Sequence, residues 1–246
     1  MRFYIGLHQP HDAAHFDRCM VSVNRLRERR SAFPASEWML DSAAYTELLN
    51  HGTYRHSVDA YAAEVRRWKG CGDLVAATSQ DYMCEPFILA HTGLSIAEHQ
   101  RLTIDRYDKL VACNTGVYIL PVLQGYLPDQ YAAHIRAYGE RLAAGAWVGV
   151  GSVCKRNGNA RDMAAVLRTI KATRPDLRLH GFGVKLTALQ RTDVRDMLYS
   201  ADSMAWSFRA RKEGRNANDW REAKQFEQQI HAGKPSAACP MEALWS

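Results

Sequence analysis

The sequence predicts an α/β fold, a single (β/α)8-type TIM barrel spanning residues 1–246, with an incomplete or irregular eighth unit. Short apolar runs alternate with amphipathic segments along the chain, a pattern typical of βα units around a parallel sheet. Seven such alternations come close to the eight of a closed barrel. The turn after the first strand, Leu7-His8-Gln9-Pro10-His11-Asp12, lacks the glycines of a nucleotide-binding fingerprint. Its composition therefore argues against the alternative fold, an open doubly wound sheet.

Seven short apolar runs are predicted to form the strands of this barrel. An eighth strand is not evident from the pattern. In chain order the predicted strands are Phe3–Leu7, Trp38–Leu40, Leu74–Thr78, Tyr118–Leu123, Trp147–Gly151, Leu179–Val184 and Ser203–Ser207.

The segments between the predicted strands carry helical periodicity or helix start signals. Ser57–Trp68 begins with a possible N-cap serine, and capping boxes are predicted at Ser95–Glu98 and at Thr187–Gln190. From residue 209 to 246 we expect a basic tail that is helical at first and irregular from Gly233 onward. The remaining predicted helices are Asp129–Leu142, Ala160–Thr173 and Asp193–Leu198.

Composition narrows the class of protein. The formal net charge is +6, which suits a polyanionic partner without requiring one. No run approaches the roughly 20 apolar residues of a membrane helix. We therefore expect a cytoplasmic protein without a membrane partner.

Cysteine and histidine spacing predicts neither a metal site nor a cofactor. The six cysteines form no Cys-x-x-Cys pair, so reduced thiols are expected. No carboxylate or cysteine completes a ligand set beside His8, His11 and His15. The six cysteines are Cys19, Cys71, Cys84, Cys113, Cys154 and Cys239.

Polar residues or glycines recur where the predicted strands end. In a parallel barrel the carboxyl ends of the strands carry the chemistry. Each residue alone could be a helix cap or turn residue, but aspartate, glutamine and glycine recurring at one edge favour a functional site. These residues are His8, Gln9, Asp41, Ser42, Gln80, Asp81, Gln124, Gly125, Gly151, Ser152, Lys185 and, at the head of the last predicted strand, Asp202.

Five of these segments, in order, resemble the tRNA-guanine transglycosylase superfamily, and most closely its phage-type DNA 7-deazaguanine transglycosylases (DpdA-like). Leu40-Asp41-Ser42-Ala43-Ala44-Tyr45 is similar to the family's Asp-Ser-Gly-Gly-Phe segment, and Asp81 with Glu85-Pro86 is similar to Asp-Glu-Cys-Thr-Pro. Val122-Leu123-Gln124-Gly125 resembles Val-Gln-Gly, and Val148-Gly149-Val150-Gly151-Ser152-Val153 resembles the Gly-Gly turn. Ala201-Asp202-Ser203-Met204 takes the place of the Phe-Asp segment.

The resemblance implies a base-exchange enzyme that replaces guanine in nucleic acid with a free 7-deazaguanine base such as preQ0 or preQ1. Asp202 would be the nucleophile of a covalent sugar intermediate, and Asp41 the general acid/base. Asp81, Gln124 and the backbone at Gly151 and Ser152 would bind the base. The remaining residues expected at the base are Ser42, Tyr45 and Gly125.

Two departures from the superfamily pattern favour DNA over tRNA. The zinc-binding Cys-x-Cys-x-x-Cys motif of the tRNA enzymes is missing, and the chain is too short for the insertion that carries it. A zinc-free enzyme acting on tRNA remains the main alternative. A hydrolytic N-glycosylase and a catalytically silent nucleic-acid-binding barrel are further alternatives.

A basic segment follows directly after the expected nucleophile. Arg209, Arg211 and Lys212, together with Lys185 after an earlier strand, would suit a track for phosphates. A solvated charged helix end explains the same residues equally well. The oligomeric state is open, and a homodimer is compatible with the sequence.

Overall fold

Nine parallel strands in the described part of the chain form a nearly closed barrel with helices between them. The computed structural model describes residues 1–153 and 160–232. The predicted α/β barrel is confirmed. The strands are β1 (Arg2–Leu7), β2 (Arg18–Ser22), β3 (Glu37–Asp41), β4 (Asp73–Thr78), β5 (Ile119–Leu120), β6 (Val122–Leu123), β7 (Trp147–Val150), β8 (Arg178–Gly181) and β9 (Leu198–Ser203).

The sheet order, β5-β4-β3-β2-β1-β9-β8-β7-β6, places the seam of the barrel at Pro121. β5 pairs with β4 and β6 pairs with β7, although β5 and β6 belong to one extended segment of chain. Leu120 O accepts the Ser79 N–H at 3.0 Å, and Pro121 O accepts the Gly149 N–H at 2.8 Å. Proline has no N–H to donate, so the ladder is interrupted there. The nine strands thus occupy eight positions around the barrel.

The strand missing from the sequence prediction is β2. Its apolar core is only three residues long, and the chain reaches it from β1 through a short 3-10 helix, Pro10–His15. Cys19, Met20 and Val21 are buried nonetheless, because β2 is paired on both sides, with β1 and with β3. Without an intervening α-helix, the alternation that revealed the other units was absent.

The helices mostly follow the predicted pattern. The capping box at Ser95 is confirmed, with Ser95 Oγ accepting the Glu98 N–H at 3.3 Å and Glu98 Oε2 accepting the Ser95 N–H at 2.7 Å. The α-helices are α1 (Ala44–His51), α2 (Val58–Trp68), α3 (Pro86–Thr92), α4 (Ile96–Ala112), α5 (Pro128–Tyr138), α6 (Ala160–Thr173), α7 (Leu186–Leu189), α8 (Thr192–Arg195), α9 (Ala205–Lys212) and α10 (Trp220–Ala232), with 3-10 turns at Pro10–His15, Val23–Arg25 and Gly139–Arg141.

The strand predicted at Ser203–Ser207 is wrong, because β9 ends at Ser203 and α9 begins at Ala205. The apolar residues that suggested a strand form the buried face of the helix start, where the Trp206 indole N–H donates to Gly6 O at 2.8 Å. Asp202 therefore lies at the carboxyl end of β9 and not at the head of a strand.

Two helix boundaries also differ from the prediction. The prediction of a capping box at Thr187–Gln190 is wrong, because α7 begins at Leu186 and Thr187 lies inside the helix. The helix predicted at Asp193–Leu198 ends at Arg195, since Leu198 is already the first residue of β9.

Side chains that point into the barrel fill its interior below the carboxyl ends of the strands, and a cavity remains open at those ends. Alternate strand residues point to opposite faces, so the residues on either side of these inward positions pack outward against the helices. The inward layer consists of Tyr4, Met20, Met39, Ala76, Leu120 and Trp147.

The segment from residue 209 to 232 packs onto the barrel. Arg209 belongs to α9, and α10 contacts β1, where the rings of Phe226 and Phe3 lie 6.3 Å apart. This part of the predicted tail is helical as expected, whereas the irregular part from Gly233 lies outside the described residues.

Cys19, Cys71, Cys84 and Cys113 are free thiols, and Cys154 and Cys239 lie outside the described residues. None of the helices within residues 1–153 and 160–232 combines the length and the apolar character needed to cross a membrane.

Phe226→Ala is expected to lower the free energy of unfolding by about 3–5 kcal/mol, because it leaves a cavity between α10 and β1. Phe226 is 4% exposed, whereas Phe208 on α9 is 58% exposed. Phe208→Ala is the matched control and should change stability by no more than about 0.5 kcal/mol. Urea denaturation measures both. Equal effects of the two substitutions would contradict the docking of α10 as part of the barrel.

Candidate active site

A cavity of about 360 Å³ opens at the carboxyl ends of the strands. Its volume lies within the range of small-molecule sites, roughly 300–1,000 Å³. Residues on or just after every strand position reach it, as expected for a barrel enzyme. The lining residues are Gly6, Met20, Ser22, Asp41, Ala44, Tyr45, Thr78, Asp81, Met83, Gln124, Gly151, Ser152, Phe182, Gly183, Asp202 and Met204.

Asp41 and Asp202, the two carboxylates singled out in the sequence, both line this cavity. Asp41 ends β3 and Asp202 lies near the end of β9, with β2 and β1 between them in the barrel. Burial and, less strongly, the negative charge of Asp202 together raise the pKa of Asp41 to about 6. The barrel thus brings together two acidic groups that are far apart in the chain, close enough to repel each other.

The turn after β3 holds Asp41 in place. Asp41 Oδ2 accepts the Ala43 N–H at 3.1 Å, and the Ser42 N–H donates to Thr78 Oγ1 at 2.8 Å. Ala43 has a φ of 65°, in the left-handed region that non-glycine residues adopt rarely. Hydrogen bonds from this turn lower the pKa of Asp41, but burial outweighs them. With a pKa near 6, the carboxyl group can both give and take a proton near neutral pH.

Asp202 is held by the loop that follows β8. Its Oδ1 accepts the Gly183 N–H at 3.0 Å, and its backbone oxygen accepts the Val184 N–H at 2.9 Å. The side chain of His180 approaches from the side, with Nε2 3.3 Å from Oδ1. Asp202 is 9% exposed and faces the cavity.

A chain of polar groups crosses the far side of the cavity. The Gln124 amide nitrogen donates to Asp81 Oδ2, and Gln124 Oε1 lies 2.7 Å from Ser152 Oγ. Ser152 Oγ accepts the Cys84 N–H at 2.8 Å and also lies 2.7 Å from Glu85 Oε2. The sequence-predicted base-binding residues Asp81, Gln124 and Ser152 therefore form one connected network.

Asp81 is only 6% exposed within this network. Its pKa is raised to about 7, because burial, opposed by the hydrogen bond from Gln124 and assisted by the charge of Asp41, disfavours the ionised carboxyl. A buried carboxyl with such a pKa changes protonation with small changes in its surroundings.

The backbone of Gln124 is fixed by two buried side chains. Its N–H donates to His134 Nδ1 at 2.8 Å, and its carbonyl accepts from Gln100 Nε2 at 2.7 Å. Burial lowers the pKa of His134 to about 4, so the ring is neutral and its Nδ1 can accept. His134 and Gln100 went unrecognised in the sequence because each lies on a helix, away from the strand ends.

Glycine is required at position 151. A Cβ there would lie 2.1 Å from the Gln124 amide nitrogen, so any larger residue would displace that side chain. The neighbours of Gly125 are different. A Cβ added there would lie 3.0–3.1 Å from Gln130 and Tyr131, behind the cavity wall. Gly151 thus lies in the cavity, whereas Gly125 supports the loop behind it.

The remaining sequence-predicted residues contribute to the site unequally, and the basic ones among them do not line the cavity. Ser42 is buried beneath Asp41, and Tyr45 lines the mouth of the cavity with 38% of its surface exposed. Lys185 is exposed just after β8, and Arg211 and Lys212 are exposed on α9.

Arg209, although close in sequence, is engaged elsewhere. Its guanidinium donates to Glu213 Oε1 at 3.0 Å and to Gln229 at 3.3 Å, in a cleft between α9 and α10. Its charge is therefore balanced within the fold.

Several cavity residues escaped the sequence analysis. Phe182, Met83 and Thr78 line the cavity, and only Phe182 had a usable signal, since it stands between Gly181 and Gly183. Arg25 also lies at this end, with its guanidinium 3.3 Å from His8 Nδ1. It follows β2, the strand that the sequence did not reveal.

No group of three or more metal-binding side chains occurs within residues 1–153 and 160–232.

Asp81→Asn is expected to stabilise the protein above about pH 7. Its pKa is about 7 in the fold, against about 4 in an unfolded chain, so the stability tied to Asp81 is complete below about pH 4. That stability is lost as the pH rises through about 7, because the unfolded carboxyl gives up its proton first. Asparagine does not ionise and should gain up to roughly 4 kcal/mol near pH 8.

Urea denaturation at about pH 5 and about pH 8 measures this difference. Asp105→Asn, at a partly exposed carboxylate paired with Arg101, is the matched control and should follow the wild-type pH dependence. An equal shift of Asp81→Asn at both pH values would contradict the assignment.

Comparison with known proteins agrees with this geometry. The model of the DpdA family, described as DeoxyPurine in DNA protein A, matches residues 1–219, which include every residue that lines the cavity. No curated protein matches the chain. Membership implies a DNA substrate. The chain therefore belongs to the DpdA family, and its function is of the DNA-modifying, transglycosylase type.

Proposed function

We propose that this barrel exchanges guanine in DNA for a free 7-deazaguanine base through a covalent bond between Asp202 and the sugar. The observation that carries the proposal is the meeting of Asp41 and Asp202 at one base-sized cavity. Two carboxylates at such a site can divide nucleophilic attack and proton transfer between them, as in retaining glycosidases. Family membership supplies DNA as the polymer.

In the first step, a carboxylate oxygen of Asp202 attacks C1′ of the target deoxyguanosine. The bond between C1′ and guanine N9 breaks, and its electron pair leaves with the base. Asp41 gives the departing guanine a proton, and the sugar remains as an ester on Asp202. The raised pKa of Asp41 supports this role, because a protonated carboxyl must be available near neutral pH.

In the second step, the incoming 7-deazaguanine, such as preQ0 or preQ1, occupies the place of guanine. Asp41, now ionised, takes the proton from the five-membered-ring nitrogen of the base, and that nitrogen attacks C1′. The ester bond breaks and its electron pair returns to the Asp202 carboxylate. The same two side chains thus serve both directions of an exchange.

The network across the cavity would recognise the base. Asp81 Oδ2 is taken up by Gln124, which leaves Oδ1 to accept the N1–H and exocyclic amine of guanine. The Gln124 amide has a second hydrogen for O6, together with backbone groups at Gly151 and Ser152. A base without these groups would leave buried polar atoms unpaired, which disfavours its binding. Tyr45 would stack at the open side.

Cations around the cavity mouth would hold the DNA backbone. Lys185 is exposed just after β8, Arg211 and Lys212 are exposed on α9, and Arg25 lies beside His8 just after β1. A target base in duplex DNA must leave the stack to reach a cavity inside the barrel. Phosphate contacts at the rim would hold the flanking nucleotides while it does so.

Asp202→Ala is expected to abolish both base exchange and the covalent DNA adduct, with a loss of about 10⁴-fold or more. Asp41→Asn should slow exchange strongly because the leaving base receives no proton. The assay incubates DNA with labelled preQ0 or preQ1 and follows incorporation and trapped adduct. Asp105→Asn serves as the matched control and should behave as the wild type.

Three results of this assay would contradict the proposal. Incorporation by Asp202→Ala at the wild-type rate would exclude the nucleophile. An abasic site in place of exchange would show that the protein is a hydrolytic glycosylase. Exchange in tRNA but not in DNA would show that DNA is not the substrate.

Arg211→Ala is expected to weaken DNA binding at all sequences and to reduce the slope of log K against log salt by about 0.9. Arg209→Ala, two residues earlier on α9, is the matched control, because its guanidinium is balanced by Glu213. It should leave the slope unchanged. Titrations at several salt concentrations measure both, and equal slopes for the two variants would remove Arg211 from the DNA contact.

A further inference from the structure

His180 is a fully buried histidine on β8, next to the strand that carries Asp202. Aromatic rings surround it: those of Tyr4, Trp147 and Phe182 lie 6.1, 6.1 and 4.7 Å from its own. A polar ring in such surroundings destabilises the fold unless its nitrogens find partners. The partners of its two ring nitrogens, Nδ1 and Nε2, therefore decide what this residue contributes.

One nitrogen is anchored by a serine. His180 Nδ1 lies 2.9 Å from Ser200 Oγ, which also accepts the Trp147 indole N–H at 2.8 Å. An indole nitrogen can only donate, so Ser200 uses an acceptor site for Trp147 and keeps its own proton. That proton can be donated to His180 Nδ1.

The other nitrogen faces the proposed nucleophile. His180 Nε2 lies 3.3 Å from Asp202 Oδ1, but this contact does not meet hydrogen-bond geometry, and among residues 1–153 and 160–232 Nε2 has no hydrogen-bond partner. A bare nitrogen lone pair so close to a carboxylate oxygen would be repelled. The arrangement therefore favours a hydrogen on Nε2 that is directed toward Asp202, with Nδ1 accepting from Ser200; a small movement of either side chain would complete the hydrogen bond.

We propose that His180 is a positioning residue for Asp202 that selects which carboxylate oxygen attacks the sugar. Oδ1 accepts the Gly183 N–H at 3.0 Å, and His180 Nε2 lies 3.3 Å from the same oxygen. No described side chain or backbone N–H in residues 1–153 and 160–232 donates to Oδ2. Oδ2 is the oxygen left to bond to C1′. This inference rests on the proposed function, in which Asp202 is the nucleophile.

The contact also serves the second half of the exchange. When the bond between Oδ2 and C1′ breaks, its electron pair returns to the carboxylate and spreads over both oxygens. Donors on Oδ1 stabilise that anion more than they stabilise the ester, because hydrogen bonds to charged acceptors are stronger. His180 and Gly183 thus hold Asp202 in one orientation and favour its release from the sugar.

Two variants of His180 test this role. His180→Leu fills the space without a donor, whereas His180→Gln can place an amide N–H near the position of Nε2. We expect His180→Leu to lower kcat for exchange about 10- to 100-fold, with the KM for DNA within about twofold of the wild type. His180→Gln should recover most of kcat. Wild-type kcat in His180→Leu, or equal losses in both variants, would overturn the inference.

A spectroscopic measurement tests the tautomer without relying on activity. In the wild-type protein, the ¹⁵N resonances of the His180 ring should show a protonated Nε2 and an unprotonated Nδ1, and the Nε2–H signal should shift in Asp202→Asn. A hydrogen on Nδ1 instead would overturn the inference.

The two measurements separate this inference from the proposed function. An adduct that forms normally in both the wild type and His180→Leu would refute the role of His180 alone. If the wild type forms no adduct with DNA, the proposed function fails and the role of His180 fails with it.

Discussion

Removal of carboxyl groups from water at the open end of the barrel is the interaction on which the site depends. Burial raises the pKa of Asp41 and of Asp81, and the charges of neighbouring acids raise both further. Asp202 faces the same cavity, where its Oδ1 accepts the Gly183 N–H and lies 3.3 Å from His180 Nε2. In the proposed reaction, the cavity combines an acid that exchanges protons near neutral pH with a second carboxylate that acts as the nucleophile.

That electrostatic arrangement requires a rigid wall opposite the two carboxylates. Gln124 supplies it, because both ends of its amide and both of its backbone groups have partners. Gly151 leaves room for the amide, and neutral His134 fixes the loop from behind. A binding site whose polar groups already hold one another reorganises little when a base arrives, which improves both its affinity and its selectivity.

The sequence revealed this edge of the barrel because parallel strands place their polar carboxyl ends together. Asp41, Asp81 and Gln124 each follow an apolar run, so pattern and order sufficed to place them at one site. The exact position of Asp202 could not be read in the same way. The apolar residues after it belong to the start of α9 around Trp206, and over so few residues a buried helix start has the same apolar pattern as a strand. β2 was missed because its apolar core spans three residues.

Residues that act through another side chain were beyond the reach of sequence patterns. His180 becomes meaningful only through the register of β8 and β9, which sets it opposite Ser200 and two residues from Asp202. The basic segment on α9 shows the same limit for surface charge. Arg209 and Arg211 are two positions apart, and on a helix such residues point in different directions. Arg209 is engaged by Glu213, whereas Arg211 is exposed, so a run of basic residues in the sequence does not show which of its members a ligand could reach.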